Sequence, residues 1–369
     1  MNASEDRRIH SHTAAWPPAE DEDAQALPDL PSDANELRIT AVAHRIVHGG
    51  PDYSGPTLLD SHALQAIEAA SALAPLHNTP ALSVIRAAMA RYPLLPQVAV
   101  FDTAFHHHLP SHARHYAVPA HWREHHGVRR FGFHGISHAS VARQAAALLQ
   151  RPLHGLRLVT LHLGNGASAA AVAQGRSIDT SMGMTPMEGL VMGTRSGDLD
   201  VAAALLVARR EGLSLDELER VLGQQSGLVG LCGDADLRAI LQRSDAGDTQ
   251  AKLALEVYAY RIKKYIGAYT AALGGLDALV FTGGVGENAA AVRERVCAGL
   301  ESFGIAVDSQ ENERHFSGQA RMIHAAGSAV AVVIAPSDED LEIARQAQSA
   351  LSQRSEQHSE QHSEQRRGR

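Results

Sequence analysis

The sequence predicts an α/β protein in which helices are layered on a largely parallel sheet. Two observations predict it. Short apolar runs alternate with helix-length segments through the middle of the chain, the pattern of strand–helix–strand units. Two of those runs, ending at Leu163 and Thr282, pass straight into glycine-rich turns, and strand ends are where α/β proteins hold ligands. Taken in order, strands are predicted at residues 37–47, 97–102, 156–163, 168–172, 278–282 and 329–335. Helices are predicted at 61–73, 137–149, 200–210, 214–222, 249–273, 288–300 and 338–351. Residues 1–37 carry Trp16-Pro17-Pro18, scattered acids and no sustained period, so they are expected to be poorly ordered. The end of the chain, from about Ser352, repeats Ser-Glu-Gln-His and has no apolar anchors. Such a low-complexity tail is expected to be solvated.

Composition narrows the function classes. The chain has 369 residues and a formal net charge of −8, from 33 Lys plus Arg against 41 Asp plus Glu. A protein neutralising phosphate backbones normally shows a clustered basic excess, so a nucleic-acid partner is not expected. With 44% hydrophobic residues but only 4% aromatic, the core must rest on aliphatic packing. No run approaches the roughly 20 apolar residues that cross a bilayer, and the start lacks a secretory pattern, so a cytoplasmic location is the default. Cys232 and Cys297 are too few for a disulfide framework and read as buried thiols.

Three stretches carry candidate chemistry. His162-Leu163-Gly164-Asn165-Gly166 follows a strand, and its glycines let backbone N–H groups approach an anion. Thr282-Gly283-Gly284-Val285-Gly286-Glu287-Asn288 runs from a strand through glycines into a helix, a second anion-compatible start. Neither is a P-loop or a strict dinucleotide fingerprint. Between them, Asp179 to Asp198 is polar and glycine-punctuated and reads as a long loop, with Arg195 set among small residues. Of the 22 histidines, the runs His106-His107-His108 and His125-His126 lack metal-ligand spacing. His44, His48, His77, His134 and His138 instead lie beside apolar residues and glycine, and Asp102 stands at a strand end.

The order and wording of these segments closely resemble the acetate and propionate kinase family. His44 to Gly50, Leu73 to Asn78, Phe101 to His106, Phe131 to His138, His162 to Gly166, Asp179 to Asp198, Ser226 to Gly230, Phe281 to Asn288 and Pro336 to Arg345 look like family motifs in family order, covering roughly residues 39 to 347. The resemblance implies two actin-like (ribonuclease H-like) α/β domains, with boundaries at 38–103 plus 337–351 and at 104–336, and a nucleotide cleft between them. It implies a homodimer that transfers the ATP γ-phosphoryl group reversibly to acetate or propionate, using Mg²⁺ or Mn²⁺. The non-catalytic alternative is a relative that binds nucleotide or a partner without turnover.

Carried over residue by residue, the resemblance assigns catalysis to Asp102, Arg45, His134 and Arg195. It gives the substrate pocket to Arg45, Val47, Leu76, Phe133 and Pro186. ATP falls to His162, Leu163, Gly164, Asn165, Gly166, Asp236, Leu237, Arg238, Gly284, Val285, Gly286, Glu287 and Asn288, and the metal to Glu339. Family members open with a strand and an Asn-x-Gly-Ser-Ser-Ser turn that binds phosphate. Residues 1 to 38 do not resemble it, so the first domain is expected to be N-terminally truncated. Ala43 stands where the family usually has Gly, and Ile136 where Thr is usual.

Overall fold

The computed structural model describes residues 39–367, apart from the side chains of residues 75 and 76 and of those beyond residue 353. The expected disorder of residues 1–37 and the expected missing turn lie outside the described residues. The chain forms two compact units, one running to His107 and resuming at Asp338, the other His108–Ser337.

The first unit is built on β1 (Val42–Ile46), β2 (Thr57–Leu58), α1 (Ser61–Ala70), α2 (Pro75–Arg91) and β3 (Gln97–Phe101). Its sheet has the order β1-β3-β2, with β1 parallel and β2 antiparallel to β3. Asp60 caps α1 by accepting the Ala63 N–H at 2.8 Å, which stops the helix from extending backwards. The core joins Ile46, Ala99 and Phe101 of the sheet to Ile67, Leu82 and Ile85 of the helices, and Tyr53 stacks on Phe101 at 4.9 Å between ring centroids. α2 is a helix that sequence reasoning did not predict. Pro75 opens it, but Pro80 lies inside it and breaks the apolar period that would have announced it.

The second unit begins with α3 (Ser111–Arg114), α4 (Ala120–His126) and α5 (Gly135–Leu148), then β4 (Arg157–Leu163), β5 (Ala167–Ala173) and β6 (Arg176–Thr180). Five helices follow: α6 (Val201–Glu211), α7 (Leu215–Gln224), α8 (Gly227–Cys232), α9 (Leu237–Asp245) and α10 (Thr249–Leu273). β7 (Ala278–Thr282), α11 (Gly283–Asn288), α12 (Ala290–Cys297), α13 (Ser309–Glu313), β8 (Arg321–Met322) and β9 (Ala331–Ile334) complete it. The sheet order is β6-β5-β4-β7-β9-β8. Among the described residues only the β4–β7 and β7–β9 pairings are parallel; β4–β5, β5–β6 and β9–β8 pair antiparallel, so the sheet is mixed rather than largely parallel. The reason is local: the tight Gly164–Gly166 turn returns β5 directly alongside β4, with no crossover helix. α5 packs Val141 and Ala145 against Val280 and Val333.

The last helix, α14 (Glu339–Arg367), packs against β1, β2 and β3 of the first unit. It carries straight through the repeat that sequence reasoning treated as a separate tail. The tetrads contain no Gly or Pro, so nothing in them stops a helix already started at Glu339.

One buried group has a measurable consequence. The Tyr258 hydroxyl on α10 is buried and finds no hydrogen-bond partner among the described residues. An unsatisfied buried hydroxyl costs about 1–3 kcal/mol. Tyr258→Phe is therefore expected to raise the thermal midpoint, and a lowered midpoint by calorimetry would refute this.

Candidate active site

In the first unit the site grows from the end of β1. Parallel pairing sets Arg45 opposite Val100 and Ile46 opposite Phe101, so Asp102 emerges next to the Arg45 side chain. The guanidinium donates from Nε to Asp102 Oδ1 at 3.2 Å and from Nη2 to Oδ2 at 2.7 Å, a fork-on-carboxylate geometry. Its Nη1 lies 3.2 Å from Glu339 Oε2 on α14. Asp102 is 1% exposed, whereas Arg45 keeps 40% of its side-chain surface. The cation is thus held from behind and open in front. Asp102, more than any other group, holds the Arg45 proton on. Burial pushes the Glu339 carboxyl up to about 7, against the pull of Arg45.

The turn after β1 is pinned by a residue whose part sequence reasoning had not identified. Asn78, fully buried on α2, accepts the His48 N–H at 3.1 Å and donates to the His48 carbonyl at 2.9 Å. Gly49 donates to Thr103 Oγ1 at 3.1 Å, and a Cβ there would stand 2.9 Å from the Phe101 ring. Val47, beside this turn, is half-buried. Leu76 lies on α2, but its side chain is outside the described atoms.

In the second unit a separate set of candidate residues collects on the β4–β5 turn. Gly164 donates to the Gly166 carbonyl at 3.0 Å, closing the turn, and leaves Asn165 exposed at its tip. A Cβ added at Gly166 would lie 3.5 Å from both Arg195 Nη1 and His134 Nε2. Arg195 and His134, 61 positions apart by number, therefore converge on this glycine. His134 takes the left-handed conformation, φ 56°, at the start of α5, which turns its ring toward the sheet. Its ring stacks on His162 at 4.2 Å. Phe133 beside it is buried, and Pro186 is half-buried.

Arg195 Nη1 donates to the Pro186 carbonyl at 3.1 Å and to Met192 Sδ at 3.8 Å, and among the described residues no carboxylate pairs with it. Burial alone lowers its proton affinity. Taking a guanidinium out of water with no counter-charge is costly unless an anion arrives to compensate.

The loop carrying Arg195 is not slack. Arg130 Nη1 donates to the carbonyls of Thr180, Ser181 and Met182 at 3.1, 3.2 and 3.0 Å, and Nη2 donates to Glu188 Oε1 at 2.6 Å. The Tyr116 hydroxyl donates to the other Glu188 oxygen and accepts the Met184 N–H at 3.1 Å. From α10, Arg261 reaches the Gly189 carbonyl at 3.0 Å and Tyr265 donates to Asp198. Glu188→Gln, which removes the charge from this clamp, is expected to lower stability by about 1–3 kcal/mol. Wild-type stability in urea for this variant would show that the clamp is not a support.

The remaining expected ATP residues are placed as follows. Asp236 is exposed and caps α9 through the Arg238 N–H at 2.9 Å, with Arg238 folded back onto it; Leu237 is buried. Gly284 is exposed at the start of α11, and Asn288 donates to the Gly284 carbonyl at 2.9 Å. Val285 is half-buried and Gly286 buried, the latter's carbonyl taking a 2.9 Å bond from the buried Arg293. Glu287 accepts the N–H groups of Gly283 and Ser337 at 3.0 and 2.9 Å, so it fastens the turn itself.

Among the described residues no three His, Cys, Asp or Glu side chains gather as a metal cage. Of the two carboxylates beside Arg45, Glu339 is the one that would hold a Mg²⁺ together with substrate phosphates, since both Asp102 oxygens are taken up by the guanidinium.

The family model described as "Acetokinase family" matches residues 7–345, reaching further toward the start than the motifs alone indicated. An acetate kinase of Sulfurovum sp. is 51% identical over 88% of this chain and 81% of its own length. One of Streptomyces griseus is 52% identical over 92% of this chain and 81% of its own. The crystal structure of Porphyromonas gingivalis acetate kinase superposes with a TM-score of 0.81 at 43% identity, covering 85% of this chain and 78% of that one. A Francisella tularensis propionate kinase structure gives 0.80 at 42%, covering 84% and 79%. The expected α/β fold of this group is thereby established, and the chain belongs to the acetokinase family.

Proposed function

We propose that the chain is an acetate kinase, transferring the γ-phosphoryl group of ATP reversibly to acetate to give acetyl phosphate and ADP. An acetate oxygen attacks the γ-phosphorus while the bond from that phosphorus to the β–γ bridging oxygen breaks, and ADP leaves. Acetate is already an anion at neutral pH, so no general base is required; the difficulty is bringing two negative partners into line. The observation that carries the reading is Arg195, a half-buried guanidinium that pairs with no carboxylate among the described residues and meets His134 at Gly166. A fixed positive charge of this kind stabilises the equatorial oxygens of the transferring group.

Arg45, oriented by Asp102, supplies the second cation for the carboxylate or the phosphoryl group. Mg²⁺ held on the nucleotide phosphates with Glu339 would neutralise developing charge. Val47, Leu76, Phe133 and Pro186 would set the room for the acyl methyl. The β4–β5 turn (His162, Leu163, Gly164, Asn165 and Gly166) takes phosphate; Asp236, Leu237, Arg238 and Gly284 to Asn288 take the nucleoside. Cytoplasmic homodimer assembly completes the proposal. One methylene is worth only about 1–3 kcal/mol in such a pocket, so acetate and propionate are both expected to react. The test is acyl phosphate formation from Mg²⁺-ATP with acetate, propionate or butyrate, trapped as the hydroxamate. Turnover favouring the two shorter acids supports the reading; none with any of them, from folded protein, overturns it.

A further inference from the structure

Behind His134 lies a run of buried hydrogen bonds that the reaction itself does not explain. His134 and His138 are one helical turn apart on α5, and a single hydroxyl from β5 sits between them. Ser168 Oγ is 2.9 Å from His134 Nδ1 and 2.8 Å from His138 Nε2. The far nitrogen of His138, Nδ1, is 2.8 Å from Thr160 Oγ1 on β4. Thr160, Ser168 and His138 are all fully buried.

Proton counting then selects one order. Each hydroxyl has one proton to give, and a buried hydroxyl proton without an acceptor is rare and costly. Among the described residues the only acceptor within reach of the Thr160 hydroxyl is His138 Nδ1. Thr160 must therefore donate there, which leaves the His138 proton on Nε2. That proton goes to Ser168 Oγ, so the Ser168 hydroxyl can give its own only to His134 Nδ1. The opposite order would start from a protonated His134 Nδ1 and end with the Thr160 proton facing no acceptor. The chain runs one way.

We propose that Thr160, His138 and Ser168 are positioning residues that fix His134 as its Nε2–H tautomer. Nε2 is the nitrogen that, with Arg195 Nη1, would lie 3.5 Å from a Cβ at Gly166. The neutral ring thus presents an N–H donor to whatever oxygen occupies that turn, and it need not carry a charge to do so. The inference rests on the phosphoryl-transfer reading for its purpose, but the tautomer is a property of the resting protein.

Two-bond ¹H–¹⁵N correlation spectra of the full chain labelled with ¹⁵N-histidine test it. The His134 signals are identified by their loss in His134→Gln. The expected wild-type result, without ligands, is a proton on Nε2 and a bare Nδ1 for both His134 and His138. Thr160→Val removes the first donor without touching His134, and Ser168→Ala removes the last. Each is expected to convert His134 into a mixture of tautomers and to lower kcat about tenfold, the loss of one oriented hydrogen bond, with KM for ATP and acetate little changed. A wild-type His134 protonated on Nδ1, or a His134 tautomer unaltered in both variants, would overturn the proposal. Failure of the wild-type protein to make any acyl phosphate would instead overturn the assigned reaction, with the resting tautomer still read from the same spectra.

Discussion

Arg195→Ala is expected to lower kcat for acyl phosphate formation by about 10³-fold, because it removes a positive charge that acts where negative charge accumulates in the transition state. The variant should fold. Arg195 bonds only to the Pro186 carbonyl and Met192 Sδ among the described residues, and its removal relieves a desolvated charge rather than orphaning a partner. Arg195→Lys should recover little, since a point charge on a flexible stem cannot span two phosphoryl oxygens as a planar fork does. The measurement is steady-state kinetics beside a thermal melt. A folded Arg195→Ala protein with kcat near wild type would remove Arg195 from the chemistry.

Asp102→Ala is expected to do two things at once. Arg45 loses both arms of its fork and keeps the ion pair with Glu339, so its guanidinium swings and turnover falls by about 10²-fold. Stability falls as well, by about 1–3 kcal/mol. The deficit stays modest because Arg45, the charge left behind, is already 40% exposed and water screens it. Asp102→Asn separates the effects: it preserves the shape and one acceptor, so the thermal midpoint should largely return while activity does not. If Asp102→Asn turned over like wild type, the orientation of Arg45 would not depend on a charged partner.

The site shows where sequence reasoning ends. β7 was legible to the residue because Ala-Leu-Val-Phe-Thr is a short apolar run closed by glycines. α10 was equally plain, a long uninterrupted helix ending at Gly274 in the left-handed conformation. β6 was not, because its Arg-Ser-Ile-Asp-Thr sequence continues into the polar loop and pairs only as an edge strand. Arg45, Asp102 and Glu339 could be nominated through family motifs, but their union is a tertiary event across 57 and 237 positions that no local spacing encodes. Ser168 and Thr160 were invisible for the opposite reason. Each is one small polar residue in an aliphatic strand, with nothing in the sequence to say that a histidine waits on the adjoining helix. Arg130 and Glu188 belong with them, since their pairing holds a loop whose length was read and whose support was not.

The two-piece construction of the first unit has a consequence for how the chain is made. β1, β2, β3 and their helices leave the ribosome before the second unit, yet α14, which packs on all three strands and brings Glu339 to Arg45, is translated after it. The whole 230-residue stretch His108–Ser337 is synthesised in between, as one contiguous piece with its own sheet. That piece is free to fold while the earlier strands still lack their covering helix, so nascent-chain order reverses the usual N-terminal-first sequence. During that interval the small β1-β3-β2 sheet lacks the helix that packs on all three of its strands, which leaves apolar surface open to other chains. A stalled or clipped chain ending before Asp338 would therefore carry a finished second unit tethered to an aggregation-prone first one.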